Sequence, residues 1–517
     1  MKKLIPDIFD DVFGPVMQPG SSSHTAGPCR IGYLANSLLH EKPKKIKVLL
    51  DRNGSFAGTF GHMNEDIGML AGAYGLLPDD ERMFEIKEIL LSEGIEYGFE
   101  YTDLQNKHPN AVRFILAGES GKEHVLEGNS IGGGRVEIVE ADGIKVSWFA
   151  DRYMYISKKP LNFTQTVKTT RCKNSRNEEI FISQSFEDLQ EGEDILLKLC
   201  PVTETMKRGE EEFLFDSFSD WVKISRKEKK NLFETAVEYE TRLLYEDREA
   251  VLGRMEDRRH LMEKETNAPY ENPEGILETP FSGYHFRKWN EYTKSGRPVQ
   301  SDLNVRMLKY VFATQALTKG VKLVPGPMGT GGGFLYSAVR AVAEEKGIDN
   351  RRINESLFVA GGIGLIAYHR SDPTGEIAGC AGECGICGAM TAAAVTYLLG
   401  GGETEIENAA SLSLQAALGW PCDPIPGGNN QPCFSRFVTA IVMAVTFADL
   451  AMSQRSATVP FDEAVDVMDS MGKKMGSELK CTSTGGICET KCARECKKRF
   501  ENRLYGETEI TKNEQTI

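Results

Sequence analysis

Nine of the twelve cysteines fall in the last third of the chain: Cys380, Cys384, Cys387, Cys422, Cys433, Cys481, Cys488, Cys492 and Cys496. Thiols gathered this way ligate a metal or an iron–sulfur group in a reducing compartment, where disulfides do not persist. Buried structural thiols are the plain alternative. Cys488, Cys492 and Cys496 recur every four residues, one face of a helix. With Cys481 they could hold a second cluster, or one of them could cap an iron. A second concentration of chemistry lies near the N-terminus, where residues 19–28 read PGSSSHTAGP. Ser21, Ser22, Ser23 and Thr25 stand where a helix begins. Hydroxyls and free backbone amides at a helix start suit an anion such as a substrate carboxylate. His24 among them is a candidate proton carrier, with an ordinary N-cap as the competing reading.

The string SSSHTAGP resembles the opening signature of the β domain of iron–sulfur-dependent L-serine dehydratases. Further blocks follow in the family's order: residues 53–62, NGSFAGTFGH; His108-Pro109-Asn110; and residues 130–134, SIGGG. In the C-terminal half, Gly379-Cys380-Ala381-Gly382-Glu383, Cys422-Asp423-Pro424 and Pro432-Cys433-Phe434-Ser435-Arg436 resemble the cluster-binding segments of the α domain. Residues 360–364, AGGIG, and 482–486, TSTGG, also match. The resemblance covers most of 20–135 and 285–490 and implies a single-chain form with fused β and α domains.

That resemblance implies a [4Fe–4S] cluster on Cys380, Cys422 and Cys433. With three thiolates one iron keeps an open position and can act as a Lewis acid on a substrate hydroxyl. The implied activity is an oxygen-sensitive lyase that dehydrates and deaminates L-serine, or a close analogue, to pyruvate (the 2-oxo acid) and ammonia. His24 and His62 would serve as catalytic groups, and Ser21, Ser22, Ser23, Thr25 and Arg436 as substrate-binding ones. Arg436 could instead balance the cluster's charge, and Glu383 could accept a hydrogen bond beside the ligands; a structural ion pair is the plain reading of each. The sequence also departs from the family. Residues 325–333, PGPMGTGGG, replace an alanine–proline–threonine segment before a helix and could form a backbone cradle for a carboxylate. Cys384 and Cys387 stand at positions the family does not use as ligands.

These residues need elements to position them, and the expected fold class is α+β. Residues 1–158 read as an α/β domain. Ile46–Leu50, Lys145–Trp148 and Tyr153–Ile156 are strand-like there, and helices begin after Ser21–Thr25 and near His62–Tyr74. Residues 159–280 are densely charged and read as a helical connecting region. Residues 281–500, rich in glycine and alanine, read as a mostly α-helical cluster domain. Its helices are expected at Val305–Leu317, Phe334–Glu345, Ile386–Leu399, Ile406–Leu418, Phe437–Met452 and Phe461–Met475. Residues 501–517 form a polar tail. The active site is expected between the first and last domains.

A formal net charge of -14 argues against nucleic acid and anionic membrane as partners. The apolar stretches Gly385–Leu399 and Phe437–Phe447 are too short to span a bilayer, and no signal peptide is legible, so a cytoplasmic location is expected; the resemblance implies a homodimer acting on a small amino acid. Two rivals stay open: β-elimination of L-cysteine or another β-substituted amino acid, and an iron–sulfur redox protein without lyase activity.

Overall fold

The computed structural model describes residues 5–174, 176–190, 192–208, 214–277, 284–296, 298–327, 329, 331–428 and 431–507. Met328 and Thr330 of the glycine-rich loop, part of the charged run Lys207–Glu212, and the tail 508–517 lie outside the described residues. The chain divides into two compact units, residues 23–208 with 501–517, and residues 1–22 with 209–500.

The first unit is built on a six-stranded sheet. Its strands are β1 (Pro43–Asp51), β2 (Glu96–Thr102), β3 (Ala111–Gly118), β4 (Glu123–Ser130), β5 (Val136–Ala141) and β6 (Ile144–Trp148), in the order β2-β1-β3-β4-β5-β6. β1 runs parallel to β2 and antiparallel to β3, so Val48 faces Phe99 on one side and Phe114 on the other. Ile46, Val48 and Leu50 are buried while Lys45 and Lys47 point away, the period of two expected of a half-buried strand. The helices are α1 (Gly27–Ser37), the single turn α2 (Ser55–Thr59), α3 (Glu65–Tyr74) and α4 (Ile86–Ser92). α1 and α3 cross almost backbone to backbone. A Cβ on Gly72 would sit 2.0 Å from Cys29 O, and one on Gly68 would sit 2.5 Å from Thr25 O. This contact ties the Ser22–Ala26 turn, which leads into α1, to the helix that follows His62.

Three strands occupy the first part of the stretch read as helical. β7 (Tyr153–Ser157), β8 (Thr166–Lys173), β9 (Glu179–Ser185) and β10 (Ile195–Leu199) form a second sheet in the order β10-β7-β9-β8. The buried alternation that builds β9 is only Ile180 and Ile182, too short to show through the surrounding charged turns. The tertiary partner β7, not local pattern, selects the strand.

The second unit is helical: α5 (Phe218–Glu228), α6 (Leu232–Leu244), α7 (Arg248–Glu271), α8 (Tyr284–Ser295), α9 (Asp302–Gln315), α10 (Gly331–Lys346), α11 (Asn350–Arg370), the single turn α12 (Gly375–Ala378), α13 (Ile386–Leu398), α14 (Glu403–Ala417), α15 (Cys433–Met452) and α16 (Phe461–Lys474). α17 (Lys491–Glu507) closes the described chain. Every residue of α13 is buried, as expected of a helix apolar on all sides. It packs against α10, α11, α14 and α15. Ala392, Ala409, Ala444 and Ala451 meet with no exposure, and such small side chains let the axes approach closely. α15 extends beyond the expected apolar stretch at its N-terminal end. By length and composition it could cross a membrane, with a mean hydropathy of 1.6, and 39% of it is buried within the protein.

Candidate metal centre and histidine pocket

Three of the thiols converge. The Sγ atoms of Cys380, Cys422 and Cys433 lie within 4.8 Å of one another, and all three residues are buried. They arrive from different local structures. Cys380 precedes the π-helical turn Ala381–Gly385 that runs straight into α13. Cys433 is the first residue of α15. Cys422 sits in an extended bridge, its amide donating to Leu479 O at 2.8 Å and its carbonyl accepting from Cys481 N at 2.7 Å. The helices that follow Cys380 and Cys433 thus begin at the thiols, and helix starts favour negative charge.

Charge is shared within this group. Hydrogen bonds from Cys384, Cys422 and Cys433, with the Arg436 charge, hold the Cys380 thiol well below its usual range. Cys422 and Cys433 are pushed well up, first by their hydrogen bonds to Cys380; Cys384 is pushed up first by burial and then by Cys380. Protons therefore stand where a multivalent cation would take their place. Arg436 Nη1 reaches Asp423 Oδ1 at 2.6 Å, Pro421 O at 2.5 Å and Cys380 Sγ at 3.7 Å. Asp423 in turn accepts from Ile487 N at 2.8 Å. Arg436 is thus committed to the thiol group and its supporting loop. Glu383 lies against the same sulfurs: a Cβ on Gly375 would be 3.0 Å from Cys422 Sγ and 3.1 Å from Glu383 Oε2. Desolvation, then the Cys380 charge, holds its carboxyl well above the carboxylate range. Glu376, buried with neither oxygen hydrogen-bonded, is pushed up to about 7 by burial.

The remaining cysteines divide by surroundings. Cys387 donates to Gly331 O at 3.3 Å, and burial pushes its thiol up to about 12. Cys488 donates to Asp423 O and Pro424 O at 3.3 and 3.2 Å. Cys492 is exposed and Cys496 half-buried. Among the described residues, Cys380, Cys422 and Cys433 are the one group of cysteine, histidine or acidic side chains close enough to share a metal. The tail cysteines do not converge into a second one. Cys481 is buried and hydrogen-bonds to Cys422.

In the sheet-based unit Ser23, His24, Thr25 and His62 are buried together and form the histidine pocket. His24 Nε2 meets Ser55 Oγ at 2.9 Å and its Nδ1 meets Ser23 Oγ at 2.8 Å. Ser55 is placed by its amide bond to Pro109 O at 2.8 Å. Burial, then the neighbouring His62, lowers the His24 pKa to about 3; burial lowers that of His62 to about 4. Both rings are neutral bases at neutral pH. Glu65, at the start of α3, is pushed up to about 8 by burial and is an acid there. The serine-rich string does not present loose hydroxyls. Ser22 Oγ donates to Pro327 O at 3.1 Å within the helical unit, Ser23 Oγ is taken by His24, and Thr25 Oγ1 donates to Met63 O at 2.5 Å. These residues hold His24 and the chain around it.

Asn110 was not singled out from the sequence, although its His-Pro-Asn block was. It has no exposed surface, and neither side-chain atom has a hydrogen-bond partner. Its carbonyl accepts from Ser130 N at 3.0 Å, and Ser130 Oγ donates to Ser23 O at 2.7 Å. A buried amide left unsatisfied beside the histidine pocket points to an absent polar partner. Nothing in the local sequence announces this, because satisfaction is a property of neighbours.

A family model described as serine dehydratase alpha chain matches residues 201–488, more than half of the chain. The L-serine dehydratase alpha chain of Peptoniphilus asaccharolyticus is 31% identical over 211 residues, which cover 41% of this chain and 72% of that protein. The probable L-serine dehydratase alpha chain of Bacillus subtilis is 24% identical over 300 residues, 58% of this chain and 99% of that one. The beta chain of the Peptoniphilus enzyme is 37% identical over 139 residues, 27% of this chain and 62% of its own length. One polypeptide thus carries likenesses to both chain types. With its three thiols gathered and the alpha-chain match running through them, this chain belongs to the serine dehydratase family and is a lyase of the serine ammonia-lyase type.

Proposed function

We propose that this enzyme dehydrates and deaminates L-serine to pyruvate and ammonia with an iron–sulfur cluster of the [4Fe–4S] type held by Cys380, Cys422 and Cys433. The observation that carries the reading is the convergence of those three buried thiols, with no fourth one equally close to all among the described residues, in a member of this family. Three sulfurs that exchange protons for a cation, beside an arginine that balances their charge, suit such a group. When bound, a cluster with three protein ligands supplies a Lewis-acidic iron that assists departure of the β-hydroxyl.

The protein's own groups then do the rest. His62, neutral at physiological pH, is a base for the α-proton, and His24, equally neutral, can take it through Ser23 or Ser55, which bond its two nitrogens. Glu65, mostly protonated at neutral pH, is an acid that can return one. Loss of water leaves an enamine, which tautomerises to the imine, and hydrolysis gives pyruvate and ammonia. Ser23 and Ser55 fix the plane of the His24 ring by bonding both nitrogens. Arg436, whose Nη1 is held by Asp423 and Pro421 O, favours the charged form of Cys380.

The test is anaerobic purification, iron and sulfide determination, and an assay across L-serine, D-serine, L-threonine and L-cysteine with pyruvate, ammonia and sulfide measured. Equal pyruvate and ammonia from L-serine, lost on aeration, is the expected result. Iron-loaded protein that turns over none of these substrates would overturn it. Cys481 beside Cys422 is the observation that favours a second reading, a fourth thiol ligand and a closed redox centre. That reading predicts reversible electron transfer and a spectrum that L-serine does not perturb.

A further inference from the structure

Within the helical unit, α7, α9 and α10 meet at the glycine-rich start of α10. Gly333 lacks a side chain because two others fill its place. A Cβ there would lie 2.4 Å from Glu265 Oε1 and 2.7 Å from Thr314 Cγ2. Glu265 is 3% exposed, and neither of its carboxylate oxygens has a hydrogen-bond partner. Thr314 is 0% exposed, and its Oγ1 is equally without one. The Val324 amide lies near enough to ease the burial of Glu265 but not in hydrogen-bonding geometry; burial holds the carboxyl well above its ordinary range. A carboxyl group is rarely left like this, since burying an unpaired acceptor is costly.

This place adjoins the helices that begin at the thiols. Cys387, in the first turn of α13, donates to Gly331 O at 3.3 Å. Phe334, in the first turn of α10, packs on Phe437 and Phe434 of α15 at centroid distances of 4.5 and 6.4 Å. The first turn of an α-helix carries amides without intrahelical acceptors and a partial positive charge. Only Gly332 among Gly331–Gly333 has its amide bonded to a described carbonyl of the preceding loop, Val324 O at 3.0 Å. A helix start next to unused carboxylate acceptors offers an anion site and a cation site side by side. A zwitterionic α-amino acid carries that pair of charges on two groups joined to the same carbon. A hydroxy acid lacks the cationic half, and an amine lacks the anionic half.

We infer that Glu265, assisted by Thr314 Oγ1, receives the α-ammonium group of the substrate while the first turn of α10 receives its carboxylate. The inference rests on the reading of this chain as an amino-acid dehydratase and names the recognition site that reading leaves open. It also gives the glycine-rich loop a purpose: residues without side chains leave room for Glu265 against the helix start. Glu265 is a binding residue and takes no part in the proton transfers.

The test uses the cluster-loaded enzyme under anaerobic calorimetry with two probes, L-alanine, which has both charges and no leaving group, and propanoate, which lacks the ammonium. The wild type should prefer L-alanine. Glu265→Gln should weaken L-alanine by about tenfold or more, the scale of a charge-assisted hydrogen bond, and leave propanoate and iron content unchanged. Its KM for L-serine should rise more than its kcat falls. Thr314→Val should show a smaller loss of the same selective kind, and it decides the matter if Glu265→Gln does not fold. A variant that binds L-alanine as the wild type does, or loses both probes equally, overturns the site. A wild type that prefers L-alanine but never turns over L-serine supports this site and sinks the dehydratase reading alone. A wild type active on L-serine with Glu265→Gln unaltered does the reverse.

Discussion

The two polar sites of this protein solve opposite problems in equally dry surroundings. The thiol group is arranged around one charged sulfur. Helix starts at Cys380 and Cys433 and the Arg436 guanidinium favour sulfur in its anionic form, and Cys380 is held well below its usual range while Cys422 and Cys433 are pushed up, first by their hydrogen bonds to it. The histidine pocket is arranged to be neutral. His24 and His62 are lowered far below the ordinary imidazole value, first by burial, and burial raises Glu65 to about 8. Burial pushes every ionisable group toward its uncharged form, so only a site with built-in counter-charge escapes. One site is therefore fit to hold a cation, the other to accept and release protons.

The sharpest way to break this comparison is to remove a sulfur. Cys380→Ser, Cys422→Ser and Cys433→Ser should each lose most iron and all lyase activity, by iron determination and pyruvate assay. Cys384→Ser and Cys387→Ser should keep both, although Cys384 hydrogen-bonds to Cys380. If Cys384 proves essential for iron while Cys422 and Cys433 do not, the charged site has been misplaced.

Changes in the histidine pocket should spare the metal and slow the chemistry. His24→Ala and His62→Ala should each lower kcat by roughly 10²–10⁴-fold, the usual worth of a positioned acid or base, with iron content near that of the wild type. Iron lost from both variants would mean that these residues are structural.

Neutrality also has a signature in pH. The folded unit resists protonation of His24 and His62 down to about 3 and about 4, whereas the unfolded chain protonates near the ordinary 6.5. Their stabilisation is complete above about 6.5 and is lost as pH falls toward the folded values. Glu65 works with the opposite sign, its contribution complete below the ordinary 4.5 and lost as pH rises through about 8. Because Glu65 is common to both proteins, the difference isolates the histidine. Between pH 7 and 5, His24→Asn should lose about 2 kcal/mol less than the wild type, by the linkage relation. Denaturant melts at the two values measure this, and parallel losses would show that His24 titrates normally in the folded state.

The smallest effect belongs to Asn110. If its amide is kept for a ligand, Asn110→Leu should leave folding unharmed or stabilise it by about 1 kcal/mol, because an unsatisfied group is removed, while KM for L-serine rises. A destabilised variant with unchanged KM would make Asn110 an ordinary structural residue.

The chemistry-bearing residues were legible early because they are written as short strings. The three cysteine segments and the SSSHTAGP block carry their identity in adjacent residues, and the helical unit announced its elements through long apolar periodicities. The helices α9, α10, α13, α14 and α16 fall within a few residues of their expected bounds. The second sheet was hidden because β8, β9 and β10 are short and lie among charges, so their pairing with β7 and each other, not their composition, makes them strands. Asn110, Glu265 and Glu376 were hidden for a different reason. Each is an unremarkable polar residue in the sequence, and only its neighbours reveal that it is buried without a partner.

The sequence by itself determined which residue types are available: twelve thiols, the paired histidines, the glycine loop and the family that contains them. The resemblance already singled out Cys380, Cys422 and Cys433, but only the tertiary structure shows that these three sulfurs meet. Cys384 and Cys387 lie closest to Cys380 in the chain, but distant Cys422 and Cys433 are the ones that share its 4.8 Å group. The physical reason lies in helix geometry. The turn after Cys380 places Cys384 at its side and carries Cys387 on to Gly331 O, whereas the start of α15 and the bridge at Cys422 bring their sulfurs to the same point. Spacing along a chain sets what can meet, and packing between elements sets what does.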